Sequence, residues 1–191
     1  MYYKKIKIDT AGDHTIMCDD MQLMSYEIVL QPLQAESFNV ILWVTGVSKC
    51  LIIMVMVDNH HTKVDLHIFV KAENTQKHLL RIYQNHIAAN TQTACTIRGI
   101  AYDTSTIDYE GLITLEPGSD NAQAYQTSTF LIMSDFATVR SVPSLQSHHN
   151  NLQCGHSTTI SYLDSIVMWY AAQRGIPITT LEQLIEKNFF L

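Results

Sequence analysis

Short strand-like segments recur about every ten residues through the first 150 residues, and this spacing limits the possible folds more than any other feature. In residues 64–70, apolar side chains alternate with mostly polar ones, which is the period of a strand with one buried face. No segment with a helical period interrupts the series before Asp164. The spacing therefore predicts a mainly β fold, and it suits a sandwich, a barrel and a β-solenoid equally well.

One segment departs from the alternation. Residues 50–57, CLIIMVMV, are apolar throughout, which predicts a strand covered on both faces. Residues typical of turns separate the segments, at Gly46 and Ser48 and at positions 58–61, 103–105, 117–120 and 149–151. The paired histidines His60-His61 and His148-His149 fall beside or within these turns, so we interpret them as solvated loop residues rather than metal ligands. Other predicted strands lie at 5–8, 23–30, 38–44, 96–102, 107–109 and 111–115.

Helical spacing begins after Asp164. Asp164 or Ser165 is expected to cap a first helix, and Gly175 followed by Pro177 is expected to end it. Within this helix, we predict that Trp169 and Tyr170 are core aromatics that seat it on the sheet.

A second helix is predicted from a capping box at residues 179–182, with Leu181, Leu184 and Ile185 as its apolar stripe. The chain therefore divides into a β core, residues 1–161, and a C-terminal helical segment, residues 162–191.

Composition excludes several classes of function. The chain has 191 residues and a formal net charge of −6, and its 12 Lys and Arg are scattered, which argues against nucleic-acid binding. The longest apolar run, residues 51–57, is far shorter than the roughly 18 residues of a membrane-spanning helix. The N-terminus has no apolar signal-peptide core, so we expect a cytoplasmic protein.

Four cysteines, Cys18, Cys50, Cys95 and Cys154, lie far apart with no CxxC pair. A disulfide framework is not expected, and the first three are interpreted as small buried apolar side chains. Cys154 differs because His156 follows it by two residues, which places both side chains on one face of a strand. Two protein ligands rarely hold a metal alone. The pair is therefore either a coincidence or part of a site that another subunit completes.

Hydrolase motifs are missing from the sequence: there is no GxSxG elbow, no HExxH and no phosphate-binding GxxxxGK[ST] loop. Asp103, Asp108 and Glu110 are close in sequence, as the carboxylates of glycosidases can be. A solvated edge is the better interpretation of these three residues, and a carbohydrate-active enzyme is the least favoured hypothesis.

An ordered series of short motifs extends from His86 to the end of the chain. It comprises HIAANT at 86–91, Arg98-Gly99, GLI at 111–113, Pro117-Gly118, AYQ at 124–126, LIMSDFA at 131–137, PSL at 143–145, CGHSTT at 154–159, Leu163-Asp164 and YAAQRGIP at 170–177. With these motifs in this order, the chain resembles the SufD/SufB family of iron–sulfur cluster assembly proteins. Residues before His86 resemble that family only in the general character of their sequence and contain none of these motifs.

The resemblance implies a right-handed parallel β-helix followed by a short helical region, and a non-enzymatic scaffold of the SUF machinery. Such subunits pair through their β-helices, and each recruits the ATPase SufC through its C-terminal helices. The chain is most similar to SufD, because CxH is the SufD form and Ser128 stands where SufB carries a cysteine. A SufB-like subunit and a SufC-like ATPase are the implied partners, and pairing with a second copy stays open.

The resemblance also implies functional residues. His156 and Cys154 would be associated with an iron–sulfur cluster shared transiently with the partner, and none would be bound by this chain alone. The implied subunit interface contains Gln153, Cys154, His156 and Ser128. The implied ATPase-docking residues are Trp169, Tyr170, Arg174, Gly175, Ile176 and Leu184. The alternative is an interaction β-solenoid that retains subunit pairing but has no cluster chemistry.

Overall fold

A computed structural model describes residues 3–19, 25–32, 36–148 and 152–190. Within these residues, twelve strands precede two helices. The strands are β1 Tyr3–Ile8, β2 Gly12–Cys18, β3 Ser25–Leu30, β4 Ser37–Val44, β5 Cys50–Val57, β6 Lys63–Ala72, β7 Lys77–His86, β8 Gln92–Ala101, β9 Thr106–Leu115, β10 Gln123–Ile132, β11 Thr138–Ser147 and β12 Gln153–Tyr162. The helices are α1 Ser165–Gln173 and α2 Ile178–Phe190.

Consecutive strands alternate between two parallel sheets of six strands each. The odd-numbered strands form one sheet in the order β1-β3-β5-β7-β9-β11, and the even-numbered strands form the other in the order β12-β10-β8-β6-β4-β2. Each strand therefore pairs with the strand two further along the chain, which makes a parallel β-solenoid of about five coils. The predicted parallel β-helix with a short helical region is confirmed.

The core lies between the two sheets. Leu51, Leu80 and Tyr109 occupy one inward row of consecutive coils, and all three are fully buried. Alternate residues of each strand face this interior, and the intervening residues form the outer surface of the solenoid. The period-two pattern of residues 64–70 is therefore the signature of a strand with one inner and one outer face.

The prediction that residues 50–57 are covered on both faces is wrong. Leu51, Ile53 and Val55 are buried, but Ile52 on the opposite face is 38% exposed and Met54 is half-buried. In a two-sheet solenoid only the inner face of each strand meets the opposite sheet, so apolar residues on the outer face stay in contact with solvent.

Turns join the strands where the sequence predicted them at 58–61, 103–105 and 117–120, and the predicted turn at 149–151 lies outside the described residues. Several turn residues adopt positive φ, among them Asn74 and Asp103, a conformation that Asn and Asp tolerate. Equivalent turns stack on one another: the Asp103 carboxylate accepts a 2.7 Å hydrogen bond from the backbone N–H of Asn74. Strand β2 was not predicted, because its sequence GDHTIMC does not alternate between apolar and polar residues, although burial alternates from His14 to Cys18.

Helix α1 has the predicted caps. The Asp164 side chain accepts from the backbone N–H of Ile166 at 2.8 Å, which makes Asp164 the N-cap. At the other end Gly175 has φ +67°, and the N–H groups of Gly175 and Ile176 donate to the carbonyls of Ala172 and Ala171, respectively. This pair of hydrogen bonds is a Schellman motif, which satisfies the last carbonyls of the helix.

Two predictions for the helices are wrong. Trp169 and Tyr170 are 64% and 53% exposed, and the one buried residue of α1 is Ala171. Their spacing could not identify a core face because α1 is apolar around most of its circumference. In addition, α2 begins at Ile178, directly after Pro177, so the predicted capping box at 179–182 is misplaced. The fixed φ of proline suits the entry to a helix, which explains the earlier start.

Candidate functional site at the open end of the solenoid

The last coil, made by β11 and β12, leaves one end of the core uncovered. Within the described strands, each of the two has a hydrogen-bonded neighbour on one side only. Most side chains of this coil are exposed, whereas in β9 and β10 every second residue is buried. Leu145, Ile160 and Tyr162 continue inward-facing rows of the preceding coil, yet they are 39%, 41% and 68% exposed. The end therefore combines two open sheet edges with apolar surface.

Cys154 and His156 lie on the inner face of β12. Their register partners on β10 are Ala124 and Gln126, which are both buried, so both side chains continue inward rows of the solenoid. Cys154 packs against the small apolar cluster that contains Ala124, and it is half-buried. His156 is exposed because no further coil covers it. The structure thus places the thiol and the imidazole side by side on one face at the open end.

The other two residues expected at an interface lie close by. Ser128 is buried one strand below the end, where its Oγ lies 2.8 Å from Thr158 Oγ1. Gln153 is exposed at the start of β12, and its Oε1 accepts a 3.5 Å hydrogen bond from the Tyr125 hydroxyl. Thr158 also lies 3.1 Å from the Ser141 hydroxyl, so hydroxyl groups link the two sheets beneath the opening.

The state of the thiol follows from its surroundings. Partial burial raises the pKa of Cys154, so the protonated thiol is favoured at neutral pH. A metal ion would have to displace that proton, since the thiolate is the form that coordinates metals. Among the other cysteines, Cys18 and Cys95 are buried as predicted, and Cys50 is half-buried on the outer face.

Below the open end the interior of the solenoid becomes polar. Six polar side chains in this region are at most 3% exposed. They face inward from β7, β8 and β10 or lie in the turn before β8: Gln84, His86, Thr91, Thr93, Gln126 and Ser128. Apart from Ser128, which the family resemblance pointed to, sequence reasoning did not identify them as interior residues. The alternation of inward and outward residues along a strand could have identified them, because Gln84 and Gln126 occupy the same alternate positions as buried apolar residues of their own strands.

All of these groups except Ser128 are joined in one chain of hydrogen bonds. Gln126 Nε2 donates to Gln84 Oε1 at 2.9 Å, and Gln84 Nε2 donates to Thr93 Oγ1 at 2.9 Å. Thr93 Oγ1 and Thr91 Oγ1 lie 2.8 Å and 2.7 Å from the two ring nitrogens of His86. Thr91 donates its own hydrogen to the Ala88 carbonyl, so it accepts from His86 Nδ1–H, and His86 Nε2 accepts from Thr93.

Two buried atoms without partners lie at the Gln126 end of this chain of hydrogen bonds. Gln126 Oε1 and the Tyr109 hydroxyl have no hydrogen-bond partner, and both residues are at most 1% exposed. Both atoms occupy the space that a Cβ at Gly111 would fill, so they converge at this glycine. An acceptor and a hydroxyl are therefore left available just below the coil that carries His156.

The residues expected to dock an ATPase lie on the two helices and in the turn that joins them. Trp169, Tyr170 and Leu184 are exposed, with Leu184 on α2 and the two aromatics on α1. The Arg174 guanidinium stacks over the Tyr170 ring, 5.0 Å from its centroid. Gly175 and Ile176 form the Schellman turn between the helices.

Helix α2 lies on the outer face of the even-numbered sheet. Phe190 contacts the rings of Trp43 and Phe69 edge-on, at centroid distances of 5.7 Å in each case. The Arg98 guanidinium donates to the Phe189 carbonyl at 2.9 Å. These contacts hold α2 on the solenoid and leave most of α1 exposed.

The carboxylates considered for sugar hydrolysis are occupied by ion pairs. Arg140 contacts Asp108 at 2.9 Å and Glu110 at 2.8 Å, and Arg81 contacts Glu110 at 2.9 Å. Asp103 belongs to a turn and accepts a backbone hydrogen bond. Arginine side chains engage both Asp108 and Glu110, so neither carboxylate is free to act as the acid of a glycosidase pair. This arrangement stabilises the outer face of the solenoid instead.

In the part of the chain that the structure describes, no three His, Cys, Asp or Glu side chains are grouped closely enough to hold a metal ion. Neither described helix is long and apolar enough to span a membrane.

Comparison with known proteins extends the likeness beyond the motifs. The family model described as SUF system FeS cluster assembly, SufBD core domain, matches residues 39–189. The match begins well before His86, so the family likeness covers more of the chain than the motifs do. Interior positions of a solenoid accept many apolar residues of similar size, and such positions retain a pattern without retaining recognisable motifs.

Individual relatives are similar over about half of the chain. An iron–sulfur cluster assembly SufBD family protein of Synechocystis sp. is 29% identical over 91 residues, which is 48% of this chain and 19% of the relative. The iron–sulfur cluster assembly protein SufD of Bacillus subtilis is also 29% identical over 91 residues, or 48% and 21% of the two chains. A SufBD family protein of Porphyra purpurea is 25% identical over 104 residues, or 54% and 21%. The matched region thus spans about a fifth of each relative's length.

Proposed function

Because the chain belongs to the SufBD family of the SUF iron–sulfur cluster assembly system, we propose that it is a non-enzymatic scaffold that pairs with a SufB-like subunit through the open end of its solenoid. A SufC-like ATPase docks on its C-terminal helices. The nascent cluster is cargo that the pair holds between its subunits and passes on. We place this assembly in the cytoplasm, where the four cysteines stay reduced.

The observation that carries this proposal is the uncovered last coil with Cys154 and His156 on its inner face. Open strands at the end of a sheet are ready to pair with another chain. Leu145, Ile160 and Tyr162 add apolar surface that such a partner would remove from water. A partner that covers this end also covers the thiol and the imidazole, so the cargo site would form only in the pair.

The chemistry of the two donors fits an iron–sulfur cargo. A thiolate is a soft ligand that suits iron–sulfur clusters, and a neutral imidazole also ligates iron. Two donors supply half of a four-ligand set, so the facing subunit must contribute the rest. Cys154 would lose its proton on binding, and His156 would bind through one ring nitrogen.

The docking surface for the ATPase is α1 with the turn that follows it. Ile166, Trp169 and Tyr170 are large apolar side chains that are more than half exposed. Aromatic residues grouped on a helix are typical anchors of a protein–protein interface. We infer that this helix inserts its aromatic side chains into the ATPase, while α2 transmits movement to the solenoid.

The pairing is tested by co-expressing the tagged chain with a SufB-like subunit and a SufC-like ATPase and weighing the complex anaerobically by native mass spectrometry. We expect a complex that contains all three proteins. Ile160→Asp should abolish pairing because it places a charge in the covered end, whereas Trp169→Ala should release only the ATPase. Met17→Asp on β2 is the matched control at the opposite end of the solenoid. A chain that co-purifies with neither protein would contradict the proposal.

The cargo role is tested separately by the iron content of the same complex. His156→Ala should leave its mass unchanged and reduce iron loading. If the variant loads as much iron as the unmodified complex, His156 is not a ligand. Intact pairing with no iron in any version would favour the alternative, an interaction solenoid without cluster chemistry.

A further inference from the structure

The directed hydrogen bonds inside the solenoid end directly below His156. Gln126 is the register partner of His156, and neighbouring strands lie about 4.8 Å apart. Both side chains face the interior, so the imidazole lies one layer above the amide. The amide cannot turn freely, because its Nε2 group is held by Gln84, which is itself held by Thr93 and the carbonyl of Tyr125.

The direction of the hydrogen bonds determines what Gln126 offers to the layer above. Gln126 donates to Gln84 in the coil below, and Gln84 donates to Thr93 in its own coil and to the Tyr125 carbonyl, so the amide N–H of Gln126 is already engaged. The group left over is therefore an acceptor, Gln126 Oε1, which is buried and has no partner. A carbonyl oxygen whose amide N–H is already engaged is a stronger acceptor, because hydrogen bonds in a chain polarise one another.

We propose that Gln126 is the positioning residue for His156: its Oε1 accepts the N–H of the imidazole when a partner covers the open end. This assignment rests on the proposed function and deepens it. Histidines that ligate metals usually donate their second ring nitrogen to a carbonyl or a carboxylate, which fixes the tautomer and the ring orientation. Gln126 would supply that acceptor from inside the solenoid, and the links through Gln84 and Thr93 to His86 would keep it aimed.

Three variants separate this role from packing. Gln126→Met fills a similar volume but has no acceptor. Gln126→Glu keeps the acceptor, since a protonated carboxyl can donate to Gln84 Oε1 and still accept from His156. Tyr109→Phe is the matched control, because it removes the other unpartnered group at Gly111 and leaves the amide intact.

The first measurement uses cobalt(II), a spectroscopic substitute for iron, on the co-purified complex. We expect Gln126→Met to weaken cobalt binding about 10- to 100-fold with an unchanged complex mass, which is the usual effect of removing such a partner. Gln126→Glu should restore most of the affinity, and Tyr109→Phe should bind like the unmodified complex. Cobalt affinity that is unchanged by Gln126→Met would overturn the assignment.

The second measurement is the ring nitrogen spectrum of His156 in the complex labelled with 15N-histidine, with the His156→Gln variant identifying its signals. A single tautomer that becomes a mixture in Gln126→Met supports the assignment, whether or not cobalt binds. A mixture already present in the unmodified complex refutes it. If the mass shows no pair at all, the proposed function fails first, and this inference fails with it.

Discussion

Acidification should destabilise this protein through two histidines buried in its core. His78 and His86 are both fully buried, and burial lowers the pKa of each to about 4, from an ordinary value near 6.5. For His78 the Lys71 backbone opposes this shift and the charge of Lys49 assists it. As the pH falls, the unfolded chain binds protons at these histidines at a higher pH than the folded chain does. The stability that the folded protein has while both histidines are neutral is therefore complete above pH 6.5 and is lost as the pH falls towards 4.

The size of the effect follows from the two pKa values. Between pH 8 and pH 5, each histidine should remove about 2 kcal/mol from the free energy of unfolding, so the pair should remove about 4 kcal/mol. That is a large part of the roughly 5–15 kcal/mol by which most domains are stable. The free energy of unfolding should be measured by urea denaturation at several pH values in this range, followed by circular dichroism.

Substitutions distinguish the two histidines because their partners differ. The Lys71 backbone lies near the His78 ring but makes no hydrogen bond of good geometry with it, whereas both ring nitrogens of His86 are hydrogen-bonded. His78→Leu should be at least as stable as the unmodified protein at pH 8, and it should lose about 2 kcal/mol less on going to pH 5. His86→Leu should lose about 1–3 kcal/mol already at pH 8, because it leaves the Thr93 hydroxyl buried without an acceptor.

The result that would refute this reasoning is an unchanged pH dependence in His78→Leu. Differences between variants are the relevant quantity, since carboxylates begin to titrate near pH 5 and affect every variant alike. Equal losses for both variants at pH 8 would also contradict the assignment of hydrogen bonds around His86.

Three further predictions concern single positions. Gly111→Ala should lower the free energy of unfolding by about 1–3 kcal/mol, because its Cβ would overlap Gln126 and Tyr109 in a filled core. Gly155→Ala, whose Cβ would meet Tyr125 at 3.9 Å, should be neutral in the same urea titration. Asp164→Ala should destabilise α1 by about 1 kcal/mol and accelerate amide exchange in its first turn only, since the carboxylate caps that turn. Arg140→Ala should increase amide exchange along β11, because this arginine ties the last coil to both carboxylates of β9; exchange that is unchanged at low salt would contradict that role.

The amount of the fold that the sequence could predict depends on which interactions are local. Alternation along a strand is local, so the extended segments and most turns were found from their residues. Which strands pair is not local, because Leu51 meets Leu80 across a whole coil, and only the family likeness selected the solenoid. Trp169 was misplaced for a related reason: on a helix that is apolar on most sides, spacing cannot identify the side that meets the core.

The candidate site was predicted in part. The shared face of Cys154 and His156 follows from strand geometry alone, whereas the open end beside them depends on how many coils the chain completes. Gln84 and Gln126 were not predicted because a polar side chain on a strand is expected to face outward. They face inward because they share the alternate positions of the buried apolar residues in their strands.

The distribution of polar groups inside the solenoid connects its stability to its function. The described strands of the early coils bury mainly apolar side chains in this interior, such as Leu42, Ile53 and Ile68, and hydrophobic burial there needs no matched geometry. Later coils replace them with amides and hydroxyls that must all be paired, and an unpaired group such as Gln126 Oε1 reduces stability. Stability alone would favour apolar residues at these positions. Because the polar coils lie directly beneath the open end, their arrangement is better explained by the site that they support.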